Sequence, residues 1–280
     1  MTAGAADAGR PDRRALAWGV VGIIAQMAFL AGWLAAEAWQ GPRYSPVTDT
    51  ISDLQAATAP HHWFPIACFA AGGLGTFGFA VLGLRPALAG AGRTARAAPW
   101  LLACSALALG NSFPLIPCRL ADLGCTAHHQ LYSPGGLTDA VVSGLAFLVL
   151  ALTPFPLGRR LAVLPRWRPA GPAVRAARIV CPAAYLFLGV SSTTGAAAGL
   201  AERILATACG LWVGVLAVML IRTSRGHQPR AARAGPARAG EPGAPAGVVA
   251  GSMAVQARGR TAGRDDGSST GHGHGRRPAR

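Results

Sequence analysis

The residues of this chain that could carry chemistry lie in or beside the segments between long apolar stretches. Six of them are our candidates for lining a ligand pocket: Ser52, Asp53, His62, Asn111, Asp139 and Arg203. Carboxylates and imidazoles are the usual general acids, general bases and metal ligands of proteins. Hydroxyl, amide and guanidinium groups would supply hydrogen bonds to a polar ligand. The pattern therefore predicts a polar pocket, with the type of chemistry left open.

Two adjacent histidine pairs, His61-His62 and His128-His129, raise the question of a metal. One histidine from each pair could join Asp53 or Asp139 around a zinc ion. Adjacent histidines point to different faces of a helix, however, whereas a helical zinc site uses histidines four residues apart. We therefore predict no metal site and no cofactor.

Three of the candidates have structural interpretations as well. Ser52 is placed to cap a short interfacial helix. Asp139 falls in the first turn of the fourth apolar stretch, where the helix dipole favours an anion. A cation at the start of the last stretch opposes that dipole, so we expect Arg203 to pair with Asp53, Asp139 or Glu202.

The six cysteines differ in their setting along the chain. Cys118 and Cys125 share one segment outside the apolar stretches, and we predict a disulfide between them if that segment faces an oxidising compartment. Two free thiols beside a metal are the alternative. The other four lie in apolar stretches, where cysteine behaves as a small buried hydrophobe: Cys68, Cys104, Cys181 and Cys209.

Six apolar stretches must position these residues: 15–36, 63–84, 99–117, 137–157, 179–199 and 204–221. Each is close to the roughly 20 residues that a helix needs to cross a membrane. When the intervening segments are assigned alternately to two sides, one side receives all 26 basic residues except Arg43, Arg119 and Arg203. Because basic loops stay in the cytoplasm, we predict an all-α, multi-pass plasma-membrane protein with six transmembrane helices and both termini cytoplasmic.

The chain divides into a cytoplasmic arm at 1–14, a transmembrane domain at 15–222 and a cytoplasmic tail at 223–280. The tail is rich in Arg, Gly, Pro and Ala without periodicity, which is typical of disorder. A net charge of +15 could suit nucleic acid, but the arginines are not gathered on one element. We expect membrane lipids as partners, and no nucleic acid. The first stretch exceeds a signal-peptide core in length, so we expect it to be retained.

Three motifs resemble the family of bacterial and archaeal membrane proteins known as domain of unknown function 998. They are Tyr44-Ser45-Pro46 followed by Thr50-Ile51-Ser52-Asp53-Leu54, Asn111 through Pro114, and Gly199-Leu200-Ala201-Glu202-Arg203. The resemblance covers about residues 15–222 and implies six spans with no established activity. Such proteins tend to have a histidine near the start of the fourth span, and Gly136-Leu137-Thr138-Asp139 has none there.

These observations favour a non-enzymatic membrane protein that binds a lipid, a small molecule or a membrane partner through a pocket facing outside. Glycine-rich helices also suit contacts with other membrane helices or self-association. One alternative is a metal-dependent hydrolase or lipid-modifying enzyme at the outer leaflet, using Asp53, His62 and Asp139. A loose likeness to ceramidase-like hydrolases lacks their His-x-x-x-His pair. The other alternative is a small-solute transporter, for which Gln26 is the one polar residue at mid-depth.

Overall fold

The computed structural model describes residues 12–89, 93–110 and 116–225, with the side chains of 93–96 and 160 excepted. The described residues form helices and connecting segments, without a strand. The helices are α1 (Arg13–Glu37), α2 (Trp63–Gly78, continued by a π-helical turn at Phe79–Leu84 and by Arg85–Ala87), α3 (Arg93–Leu109), α4 (Ala127–Leu131), α5 (Pro134–Leu152), α6 (Pro154–Leu161), α7 (Gly171–Thr194) and α8 (Ala198–Arg225). Short 3-10 helices occupy Ser52–Gln55 and Pro165–Ala170.

The helices are those of a membrane-spanning protein, as predicted. In the part of the chain that the structure describes, five are long and apolar enough to cross a membrane: Arg13–Glu37, Trp63–Ala87, Pro134–Arg159, Pro165–Thr194 and Ala198–Arg225. The third predicted span is represented by a shorter apolar helix, Ala97–Leu109. Its predicted remainder includes 111–115, outside the described residues, so the count of six spans stays a prediction.

Local capping explains where α1 and α5 begin. The Asp12 carboxylate accepts hydrogen bonds from the amides of Arg14 and Ala15, both at 3.1 Å, and starts α1 two residues before the predicted stretch. Ser133 caps α5, and Pro134 follows at the first helical position, where proline is favoured. Asp139 therefore lies in the second turn of α5, and its predicted place in the first turn is wrong.

In the described part of the chain, the five long helices and the shorter α3 form a closed ring. Along the ring α1 contacts α2, α2 contacts α3, α3 contacts α5, α5 contacts α7, α7 contacts α8, and α8 returns to α1. Large side chains such as Phe69, Phe79 and Leu216 fill its interior and are almost fully buried. Ile179, Leu186 and Leu211 are each about two-thirds exposed or more on its outer surface. An apolar outer surface is what contact with lipid chains requires.

The two ends of the ring differ in chemistry. We call the end formed by residues 38–62, 116–133 and 195–197 the disulfide end. The opposite, arginine end is formed by the start of α1, residues 85–89, Pro154–Ala170 and the end of α8. There the Arg166 guanidinium donates to the carbonyl of Ala87 at 2.6 Å, and one crevice joins Asp12, Arg166 and Ser224. Both termini of the described bundle therefore lie at the arginine end.

Candidate ligand site at the disulfide end

Asp53 is the buried centre of the disulfide end. Its carboxylate accepts four hydrogen bonds: from the Thr50 amide at 2.8 Å, the Thr50 hydroxyl at 3.0 Å, the Leu120 amide at 3.2 Å and the Gln130 side chain at 2.6 Å. Burial raises the pKa of Asp53, and these hydrogen bonds act against the increase. Asp53 thus joins the first long loop to the segment that precedes α5.

The short helix Ser52–Gln55 is stabilised by Thr50 rather than by the predicted cap, Ser52. The Thr50 hydroxyl accepts a hydrogen bond from the Asp53 amide at 3.2 Å, while Asp53 accepts one from the Thr50 amide. This reciprocal arrangement is a capping box. It leaves the Ser52 hydroxyl free to donate to Glu202 on α8, at 3.4 Å.

Arg203 fastens the same loop to α1 and α8. Its guanidinium donates to the Glu37 carboxylate at 2.7 Å, to the carbonyls of Asp49 at 2.8 Å and Gly199 at 2.9 Å, and to the Tyr44 hydroxyl. Burial raises the pKa of Tyr44, although Arg203 acts against the increase. All three nitrogens of the guanidinium thereby donate hydrogen bonds.

The carboxylate partner of Arg203 differs from the prediction. Asp53, Asp139 and Glu202 were the expected partners, and the ion pair is made with Glu37, at the end of α1. Glu37 is 166 residues away in sequence. In the sequence it lies one residue beyond the first predicted stretch, 15–36.

A cavity of ≈ 410 Å³ opens between α5, α7 and the loops of the disulfide end, and we call it the acidic cavity. Polar groups from several elements line it: Thr50, Ser52, Gln130, Asp139, Ser143, Tyr185, Ser192 and Glu202. The rest of its wall is made of apolar side chains and three glycines: Ile116, Ala127, Leu131, Gly136, Ala140, Gly144, Phe147, Leu188 and Gly189. A mainly apolar wall with a few convergent polar groups is typical of small-molecule sites.

Two carboxylates of the acidic cavity, Asp139 and Glu202, form no ion pair with a described residue, although the charge of Arg203, which is paired with Glu37, also acts on Glu202. Glu202 is 8 % exposed and accepts a hydrogen bond from the Ile51 amide at 2.6 Å. Asp139 is contacted by the Ser143 hydroxyl at 3.5 Å. The arginine ion pairs in the described part of the chain are Arg203–Glu37 and Arg119–Asp122, and neither includes a cavity acid.

The predicted candidates are only partly brought together. Ser52 and Asp139 line the acidic cavity, while Asp53 and Arg203 support its walls from behind. His62 lies elsewhere, with its Nδ1 at 3.2 Å from the carbonyl of Ala59 and its ring against Trp63. Asn111 lies outside the described residues. Sequence reasoning missed the lining residues Gln130 and Tyr185, which come from α4 and α7.

A disulfide joins Cys118 and Cys125, whose Cα atoms are 6.1 Å apart. In the same segment Arg119 donates to the Asp122 carboxylate at 2.6 Å, and Thr58 donates to it as well. Partial burial would raise the pKa of Asp122, but these hydrogen bonds outweigh it and hold the pKa below its usual value. The segment is therefore tied both to itself and to the first long loop.

One group of possible metal ligands occurs in the described ranges, namely Cys118, Cys125 and His129. Its two sulfurs are bonded to each other, so they are not available as thiolate ligands. None of the four histidines of the predicted pairs lines the acidic cavity. The geometry thus offers carboxylates, hydroxyls and amides for binding, without an imidazole beside them.

The family assignment agrees with this architecture. The model of the family described as "Protein of unknown function (DUF998)" matches residues 23–219, which include most of α1 and α8, the helices between them and the residues that line the acidic cavity. The chain belongs to the DUF998 family. Searches of curated proteins and of solved structures found no match to this DUF998 protein.

Proposed function

We propose that this DUF998 protein binds a small amphiphile with a positively charged head group in the acidic cavity. The supporting observation is that Asp139 and Glu202 line an apolar-walled cavity and form no ion pair with a described residue. A carboxylate removed from water is costly unless it is paired. A cationic head group would supply the missing partner.

The dimensions of the acidic cavity suit such a ligand. Its volume, ≈ 410 Å³, falls within the range of about 300–1,000 Å³ that is usual for small-molecule pockets. Phe147 and Leu188 offer an apolar surface to a hydrocarbon chain, and Ser143 and Ser192 offer hydroxyls near the head group. By the positive-inside pattern, the cavity would open on the outer side of the plasma membrane.

The two alternatives have less support from the geometry. A metal-dependent hydrolase needs a ligand set, and the histidines lie away from Asp139 and Glu202. A transporter was suggested by Gln26, whose amide donates to the Thr76 hydroxyl at 2.7 Å in the interior of the bundle. Neither Gln26 nor Thr76 lines the acidic cavity.

Thermal unfolding in a neutral maltoside detergent tests the proposal. We expect octylammonium, added below its micellar concentration, to raise the Tm of the full-length protein. At about 100 times its Kd, a ligand stabilises by about 2.7 kcal/mol, which corresponds to roughly 5–10 °C for a domain of this size. Octanol and octyl sulfate should have much smaller effects, because they lack the cation.

Two variants assign the effect to the acidic cavity. Asp139→Asn should remove most of the octylammonium response, because it deletes one of the unpaired charges. Asp122→Asn is the matched control: it also deletes an acid of the disulfide end, but one that pairs with Arg119 outside the cavity. Equal responses to octanol and octylammonium, or an unchanged response in Asp139→Asn, would contradict the proposal.

A further inference from the structure

A second cavity runs along the outer face of α8, between α1 and the beginning of α7. Its volume is ≈ 540 Å³, and we call it the α8 groove. Met27 and Leu30 of α1 and Val218 of α8 are among its apolar walls. Gly210 and Gly214 leave its floor open, because a Cβ at Gly214 would meet no atom within 4 Å and one at Gly210 would meet only the Gln26 side chain, at 3.4 Å.

Gly210 and Gly214 have the small-xxx-small spacing that suits helix contacts within a chain or between chains. The described helices do not pack on Gly214 at all. The groove therefore has room for an occupant from outside the described bundle.

The width of the α8 groove distinguishes between a helix of a second copy and a hydrocarbon chain as its occupant. Between Thr207 and Arg222, α8 rises by roughly 22 Å at 1.5 Å per residue. Dividing ≈ 540 Å³ by that length gives a mean cross-section of about 25 Å². A helix at least 10 Å in diameter has a cross-section of about 80 Å², so a helix of a second copy would lie only partly inside the groove. An extended hydrocarbon chain is narrower than a helix and suits it better.

Charge distinguishes the two ends of the groove. Arg222 is the one charged residue of its lining, and it lies at the arginine end, three residues before α8 ends at Arg225. Arg222 is exposed and makes no hydrogen bond or ion pair with another described residue. A guanidinium at the level of the head groups is a favourable partner for a phosphate.

We propose that the α8 groove binds an anionic phospholipid, with an acyl chain over Gly210 and Gly214 and its phosphate at Arg222. This site is separate from the acidic cavity and does not depend on the function proposed for it. It would hold a lipid of the leaflet at the arginine end, which the positive-inside pattern predicts to be the cytoplasmic one.

Native mass spectrometry of the full-length protein with dioleoylphosphatidylglycerol and dioleoylphosphatidylcholine tests this site. We expect wild type to bind the anionic lipid more tightly. Arg222→Gln should reduce the ratio of the two affinities by roughly fivefold, the effect of one basic residue at a membrane surface. Arg225→Gln, which removes an exposed arginine of the same helix outside the groove, should preserve the ratio.

A second pair of variants tests the acyl-chain position. Gly214→Leu should weaken binding of both lipids, because its side chain fills the groove without a clash. Ala183→Leu, at an exposed position of α7 that lines neither cavity, should not. The proposal is overturned if wild type shows no preference, if Arg225→Gln and Arg222→Gln have equal effects, or if Gly214→Leu binds both lipids normally. It is also overturned if wild type is a dimer that Gly214→Leu dissociates.

Discussion

Replacing Arg203 by glutamine should destabilise the bundle by about 3–5 kcal/mol. The reason is the number of groups that depend on one guanidinium: the Glu37 carboxylate at 2.7 Å and the carbonyls of Asp49 and Gly199 at 2.8 and 2.9 Å. Arg203 is 8 % exposed, so water would reach these groups poorly once the guanidinium is gone. For a domain of this size the loss corresponds to a decrease in Tm of roughly 6–20 °C.

The ion pair can be separated from the hydrogen bonds to the carbonyls by a double-mutant cycle. Glu37→Gln alone should cost only about 1–2 kcal/mol, because Arg203 keeps both carbonyls and the Tyr44 hydroxyl. The double variant Glu37→Gln/Arg203→Gln should be more stable than the sum of the single effects implies, by about 1–3 kcal/mol. Tryptophan fluorescence during thermal unfolding in maltoside micelles measures all three variants.

Additivity of the two substitutions within about 0.5 kcal/mol would refute this reasoning, since independent residues behave in that way. Exchanging the two charges is a weaker test. A glutamate at position 203 could pair with an arginine at 37, but it could not donate to the carbonyls of Asp49 and Gly199. A failed exchange would therefore not show that Arg203 and Glu37 are unpaired.

Three further predictions concern other parts of the molecule. Gly199→Ala should cost at least about 2 kcal/mol in urea unfolding, because its Cβ would overlap the carbonyl of Asp49, whereas Gly189→Ala meets open space and should be neutral or stabilising. Hydrogen bonds hold the pKa of Asp122 below 3.8 in the folded protein. Its contribution to the stability of the fold is therefore complete above that pH and is lost as the pH falls through the pKa of the folded state. Asp122→Asn should thus lower Tm by roughly 2–4 °C at pH 7. As the pH is made acidic, the Tm of this variant should decrease less than the Tm of wild type. A fluorescent protein fused to the carboxyl terminus should be fluorescent in the cytoplasm, and alkaline phosphatase there should be inactive; the reverse result would contradict the predicted orientation.

The membrane architecture could be predicted from the sequence because hydropathy and capping are local properties. The apolar stretches gave α1, α2 and α5 to within about five residues at each end, whereas α7 begins eight residues before the fifth stretch and α8 begins six residues before the sixth. The fifth stretch was predicted to end at 199, but α7 ends at Thr194 because Gly195 takes a left-handed conformation with φ 70°. The early start of α5 had a usable signal, since serine before proline is a favoured helix start.

The candidate site was harder to predict because its contacts join distant parts of the chain. Ser52 and Asp139 were identified as polar residues near the ends of spans, and both line the acidic cavity. No local pattern shows that Glu37 meets Arg203 or that Gln130 meets Asp53, since these pairs depend on how the helices are arranged in the ring. The histidine pairs show that chemically suitable residues in loops at the same end of the bundle need not come together, since none of the four histidines lines the acidic cavity.

Binding of octylammonium to Gly189→Leu, measured by titration calorimetry, tests the central claim most directly. The leucine would occupy the acidic cavity and leave Asp139, Glu202 and every other charge in place. We predict that Gly189→Leu folds and loses binding, while Gly214→Leu, which fills only the α8 groove, binds like wild type. Unchanged affinity in a folded Gly189→Leu protein would show that the cation binds somewhere other than the acidic cavity.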